Sequence, residues 1–240
     1  LPVRFTKLYS RSGLWRHRDG LLSASVAAAT TRPFSLSFGD IESMVVKICS
    51  TYFATGQFVG EQLHVVDGRA RLCHRGRNRL YSEKEYDRPV YWLPLGREVK
   101  SEDWRQVRRI RPTYELEPLQ LDLEVALVAS GFDLRLASSG GVEDVPVQLE
   151  FLFPPGGELE LSSGVIKAMA GGTAFLKAGT ATYTVGDEVI SVGPGNHLHR
   201  MWNMRNSEQE PDVFRLLITL LTPVDWTLEI RCATATTWID

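Results

Sequence analysis

Three cysteines in 240 residues, Cys49, Cys73 and Cys232, are too scattered for a metal-binding spacing and too few for a fully paired disulfide framework. Buried free thiols are the plain expectation, with one disulfide left open. No apolar run approaches the roughly 18 residues that a membrane helix needs, so membrane insertion is not expected. Charge of one sign is equally scarce. The 27 basic and 29 acidic residues leave a formal charge of -2, which gives no reason to expect a nucleic-acid partner. No HExxH is present, and neither a biased linker nor a fixed-period repeat divides the chain. Residues 1–240 are therefore expected to form a single domain. The chain opens at Leu1 without an initiator methionine or a signal-peptide pattern, so a processed form or part of a longer protein is expected.

What the sequence does contain is apolar and aromatic residues, at 43% and 10%, in an amount typical of a folded globular protein. Their spacing is mostly two. Phe34, Leu36 and Phe38 alternate with Ser35 and Ser37, as a half-buried antiparallel strand requires. The same alternation runs through Leu119, Leu121, Leu123, Val125 and Leu127, then Phe132, Leu134 and Leu136, then Val145, Val147, Leu149, Phe151 and Phe153. Turn signals separate these runs: Asp67-Gly68, Ser130-Gly131, the Pro154 to Gly157 stop and Gly186-Asp187. Val213 to Leu221 is dense enough for a strand buried on both faces or bent at a bulge. Short strands at roughly 10 to 13 residue spacing, with no helical pattern between them, predict an all-β fold, a large antiparallel β-sandwich with few or no helices.

Ligand chemistry and turn signals coincide in TATYTVGDEVISVGPGNHLHRMWN, residues 180–203. His197 and His199 are two apart, so an extended backbone puts both imidazoles on one face, where two ligands of one metal would have to be. Asp187, Glu188, His64 and His74 are the candidate further ligands, and a structural or hydrogen-bonding role for the histidines is the competing reading. No motif fixes a cofactor. Elsewhere, Arg79, Tyr86, Arg88, Tyr91 and Trp92 suggest a sugar-stacking surface, against simple packing at strand ends. Arg105, Arg108, Arg109 and Arg111 suggest polyanion binding, against a solvated face laced with salt bridges.

Two resemblances attach to these residues. GDEVISVGPGNHLHRMWN resembles the second motif of the cupins, with His197 or His199 in the histidine position and Asn203 in the asparagine position if His199 is chosen. It departs from that motif in having Gly195 directly after Pro194, and the earlier cupin His-X-His motif has no counterpart. FDLRLASSGGVEDVPVQLEF, PPGGELE, GDEVISVGPGNHLHRMWNMRN and LLITLLTPVDWTLEI are together similar to the C-terminal β-sandwich domain of heparinase II/III-like polysaccharide lyases. That resemblance implies a supersandwich of the galactose-mutarotase-like class and a carbohydrate or acidic polysaccharide as partner. It implies a sugar-binding domain that is non-catalytic on its own, with Trp202, Trp92, Arg205 and Asn203 as binding residues. Lyase chemistry would need a cation for the uronate carboxylate, a base and an acid, for which Arg200 or Arg205, His197 or His199, and Tyr183 are the nearest equivalents. A mutarotase or epimerase would instead pair Asp187 or Glu188 with one of the histidines, and a cupin-like metalloenzyme would use His197, His199 and Asp187 as ligands.

Overall fold

A computed structural model of the chain describes residues 3–53, 55–76, 90–93, 96–103, 106–107, 110–204, 207 and 210–235. Nineteen strands, numbered in chain order, carry most of them. One sheet has the order β1 (Arg4–Tyr9), β2 (Leu14–Asp19), β3 (Leu22–Ala27), β4 (Phe34–Phe38), β5 (Ile41–Ser50), β12 (Pro146–Phe153), β18 (Phe214–Leu221), β15 (Thr173–Phe175). The second has the order β14 (Gly164–Lys167), β13 (Glu158–Leu161), β16 (Ala181–Val185), β17 (Glu188–Gly193), β19 (Asp225–Thr234), β11 (Gly131–Gly140), β10 (Leu119–Val128), β7 (Arg69–Arg75), β6 (Leu63–Val66). A separate two-stranded piece pairs β8 (Val90–Trp92) with β9 (Thr113–Glu115). The all-β sandwich expected from the period of two is the fold of the chain.

The alternating residues do what their spacing dictates. Phe34, Leu36 and Phe38 of β4 are buried, as are Leu119, Leu121, Leu123 and Val125 of β10, and all join one continuous core between the two sheets. Aromatic rings lock the sheets together at two points. Phe132 of β11 meets Phe34 of β4 edge to face with centroids 5.2 Å apart, and also Trp15 of β2 at 6.3 Å. Further along, Phe153 of β12 stacks on Tyr183 of β16 at 4.5 Å. Such pairs add about 0.5–1.5 kcal/mol each beyond the area they bury.

The turns explain the register. Asp67 and Gly68 both take positive φ, 49° and 73°, which is the two-residue hairpin turn whose twist suits the flanking strands. Val66 is thereby set opposite Arg69, and every second residue of β7 points outward. The Gly186-Asp187 turn also joins β16 to β17 over two residues, but with positive φ at Gly186 (58°) and not at Asp187, and with Val185 opposite Glu188. Between β10 and β11 the turn sits one residue earlier than the Ser130-Gly131 reading, because Val128 pairs directly with Gly131.

One pairing departs from the antiparallel pattern. β15 runs parallel to β18, with Thr173 opposite Arg215 and Phe175 opposite Leu217. Past Phe175 the chain leaves the sheet and returns at residues 196–198, where His197 forms a second parallel bridge to Thr219. Gly195 sits at that return. A Cβ there would run into the side chain and the backbone carbonyl of Leu176, so only glycine fits.

The three cysteines are free thiols, so no disulfide links them. Burial pushes the Cys49 thiol far up, with Glu150 adding to it, and pushes Cys232 up to about 12 and Cys73 up to about 11. Thiolate is the reactive species. The native protein at pH 8 is therefore expected to react with DTNB at least about tenfold more slowly than free cysteine, with three equivalents released on unfolding; rapid labelling of the folded protein would contradict these surroundings.

A pinned strap and an open cleft as candidate sites

β12 and β18 are buried on both faces, although only one face of each meets the sandwich core. Their outer face is roofed by the segment after β17, which we call the strap, beginning at Pro194 and returning to the sheet at β18. The strap is held at its start by the Trp226 indole, which donates to Pro194 O at 3.3 Å. Thr219 holds it next: its hydroxyl donates to His199 O at 2.8 Å and accepts from His199 N at 3.3 Å. His199 closes the fastening. Its Nε2 donates to Val147 O at 3.1 Å, so its Nδ1 is the acceptor for the Met201 amide at 3.3 Å.

That arrangement sets what each residue of the metal and catalytic readings has around it. Both ring nitrogens of His199 are used by backbone groups, leaving no lone pair for a metal or a substrate proton. His197 stands beside Thr219, with Nδ1 at 3.5 Å from its hydroxyl, and packs edge to face on Phe175 at 5.0 Å. Asp187 lies in the turn at the opposite end of β17, about 20 Å of strand away, and cannot complete a site with His197. Among the described residues no group of three or more potential ligands comes together. His64 stands on the outer face of the other sheet, and His74 packs on Phe58 with Nδ1 at Val59. Tyr183 is fully buried between the sheets; its hydroxyl donates to Pro154 O and accepts from Gly157 N, and burial pushes its pKa up. It is not an acid facing the histidines.

The remaining expected binding residues divide. Trp202, at 51% exposure, projects from the strap beside exposed Arg200 and Asn203. Leu198 and Met201 are exposed on the same segment. Trp92 pairs with Thr113 in the separate two-stranded sheet, where Tyr91 packs edge to face on Phe53. Arg205, Arg79, Tyr86, Arg88, Arg105, Arg108 and Arg109 lie outside the described residues. Arg111 donates through Nε to Leu93 O at 2.7 Å.

Beneath the strap lies a polar layer. The outward residues of three neighbouring strands are Lys47 and Cys49 on β5, Gln148 and Glu150 on β12, and Arg215 and Thr219 on β18, all buried. Gln148 Nε2 donates to Glu150 Oε1 at 2.8 Å and to Ser207 Oγ of the strap at 3.1 Å. Arg215 Nη1 donates to the same Ser207 Oγ at 3.1 Å, and its Nε to Thr173 Oγ1 at 3.3 Å. Glu210 bridges Lys47 at 3.0 Å and Arg32 at 2.7 Å, while Lys47 stands 4.0 Å from Glu150. Among the described residues Glu150 Oε2, Gln148 Oε1 and Arg215 Nη2 have no hydrogen-bond partner. The layer fastens the strap by polar bonds, alongside the buried side chain of Met204.

The second sheet presents an open feature that the sequence reading did not single out. Its outer face holds a cleft of about 650 Å³ over β6, β7, β10 and β11. His64, Arg71, Glu124 and Arg135 stand opposite one another across these four strands. Glu124 accepts from Arg69 Nη1 and from Arg71 Nε, both at 2.6 Å, and Arg135 pairs in a fork with Asp225 at 2.7 and 2.8 Å. Burial raises the Glu124 carboxyl, but the two guanidinium groups outweigh it and leave it below its ordinary range. The sequence signal was present in the polar positions of RARLCHR and LQLDLEV, which alternation puts outward on adjacent strands once their pairing is known. No family model, curated protein or solved structure matches the chain.

Two predictions follow from the strap. Lys47→Met removes the cation facing Glu150 and Glu210, so denaturant unfolding is expected to show a loss of about 3 kcal/mol, the usual cost of leaving a buried charge without its partner. Burial lowers the pKa of both histidines, with Lys177 and Arg200 adding to the effect at His197. At His199 burial outweighs the Val147 hydrogen bond, which acts in the opposite direction. The fold therefore favours neutral rings. Their contribution is complete above the unfolded value of about 6.5 and is lost as pH falls below it through the folded values. Melting temperature should fall between pH 7 and pH 5, and His199→Gln should flatten that slope; an equally steep slope in the variant would remove His199 as its source.

Proposed function

We propose that this chain is a carbohydrate-associated β-sandwich domain that binds a polysaccharide and is not catalytic on its own. The observation that carries this reading is the strap: an exposed indole, Trp202, held on a segment fastened at Thr219 and Val147, with Arg200 and Asn203 exposed beside it. An aromatic face covers the apolar face of a sugar ring, and a rigid aromatic side chain gives up little conformational entropy on binding. Amide and guanidinium groups at its rim would fix hydroxyl or carboxylate groups. Lys177 and Arg200 both act on His197 as nearby cations, which suits an acidic sugar. The resemblance to the sandwich domain of heparinase II/III-like lyases points the same way, and a supersandwich of that class belongs to the same proposal.

The enzymatic alternatives gain no specific support: the Tyr183 hydroxyl and both ring nitrogens of His199 are committed to backbone partners, and Asp187 lies at the other end of β17 from the strap. On the proposed reading, Trp202→Ala should weaken binding to an acidic polysaccharide by about tenfold or more, as truncating an aromatic anchor does. The side chain is exposed, so unfolding free energy should stay within about 0.5 kcal/mol of the parent. Affinity electrophoresis against a panel of acidic polysaccharides, with equilibrium unfolding in parallel, reads both quantities. A panel without any retarded band would sink the proposal.

A further inference from the structure

We infer that the cleft on the outer face of the second sheet is a separate binding site for an uncharged oligosaccharide of about two or three rings. The choice of a sugar over other polyhydroxylated ligands rests on the function proposed above, but the site is distinct from the strap. It lies on the outer face of one sheet, whereas the strap lies over β12 and β18 on the outer face of the other.

Charge balance excludes a polyanion first. The ionic side chains lining the cleft are Arg69, Arg71 and Arg135 against Asp67, Asp122 and Glu124, three of each sign, so no net field draws an acidic chain in. An acidic ligand would also bring its own charges against Glu124 and Asp122.

Hydrogen-bonding capacity then favours hydroxyl groups. Arg71 uses only Nε on Glu124 and Arg69 only Nη1, so the outer guanidinium N–H groups of both remain without an acceptor among the described residues. Arg135 likewise keeps Nη1. Each oxygen of Glu124 accepts one such bond and retains capacity for another. Donor, acceptor and donor thus follow one another across β7, β10 and β11. A sugar hydroxyl both donates and accepts, and a vicinal pair can bridge a guanidinium and a carboxylate at once. The two-point Arg135–Asp225 fork orients that guanidinium plane beforehand, which lowers the ordering cost of binding.

Dimensions agree with a short chain. Four adjacent strands at about 4.8 Å spacing give a row of about 14 Å from His64 to Arg135. Ala137, small and next to Arg135 on the same face, leaves room along the floor.

Isothermal titration calorimetry of the whole chain with gluco-, xylo- and manno-oligosaccharides of two to six rings, and with uronic-acid oligosaccharides, tests this. At least one uncharged series is expected to bind, with affinity changing less than about twofold between 50 and 500 mM NaCl, since no ion pair forms with the ligand. Glu124→Gln and Arg135→Ala should each reduce that affinity about tenfold or more, while Trp202→Ala leaves it unchanged. Melting curves of each variant confirm that it is folded, and the two substitutions lie on different strands, so one misfolded variant still leaves the other to decide. Uncharged ligands bound equally by the parent and both cleft variants, or lost with Trp202→Ala, would overturn the cleft site while leaving the carbohydrate reading standing. Binding of uronic-acid oligosaccharides alone, or a steep fall with salt, would overturn it too. Failure of every glycan to bind would remove both readings together.

Discussion

The fold depends on a constraint that β12 imposes: it has to bury Gln148 and Glu150. An interior strand whose neighbours are β5 and β18 cannot tilt its outer face toward water at will, and the roof over it leaves both side chains with no exposure. A carboxylate removed from water needs a cation and hydrogen-bond donors, or it costs several kcal/mol. Lys47 on one neighbour, Ser207 and Glu210 on the strap and Arg215 on the other neighbour form the surroundings that make this burial tolerable. The strap is accordingly tied to the sheet by polar groups at fixed positions. Its register on the sheet is specified in a way that greasy packing alone would not achieve.

This fastening bears on how the two sides of the molecule differ. Over β12 and β18 one outer face is closed by the strap, and what that part shows to solvent is the strap's own outward side: Leu198, Arg200, Met201 and Trp202. On the other sheet, ion pairs are laid across the outer face of β7, β10, β11 and β19. Inward-facing residues of both sheets are apolar and fill a single core. The covering of β12 and β18 originates in one long connection, β17 to β18.

Much of this was legible beforehand, for a physical reason. Period-two alternation is a local property, so the strands around Phe34 to Phe38, Leu119 to Leu127 and Phe132 to Leu136 could be read directly, as could the Asp67-Gly68 hairpin. Alternation says which residues share a face but not whether that face meets water. Gln148 and Glu150 therefore look solvent-facing in the sequence, and the double burial of β18 could be suspected only from its density of apolar residues. The His197-X-His199 spacing marked two rings on one segment, yet His197 turns to Phe175 and His199 to Val147, and ligand chemistry depends on what is near. The Val147 carbonyl and the Met201 amide decide that, and neither is visible as a motif. The cleft escaped notice because Arg71, Glu124 and Arg135 are 53 and 11 residues apart in the chain and meet only through strand pairing.

The short parallel strand β15 has a consequence for the life of the protein in a crowded solution. β18 is the most apolar strand at this end of its sheet, and its free side would be an inviting template for a strand from another molecule. Residues 173–175 occupy the first part of that side, and residues 196–198 take over where they leave off. Two brief pieces of backbone, handed from one to the next, stop the sheet from growing. Neither is long enough to offer an attractive margin of its own.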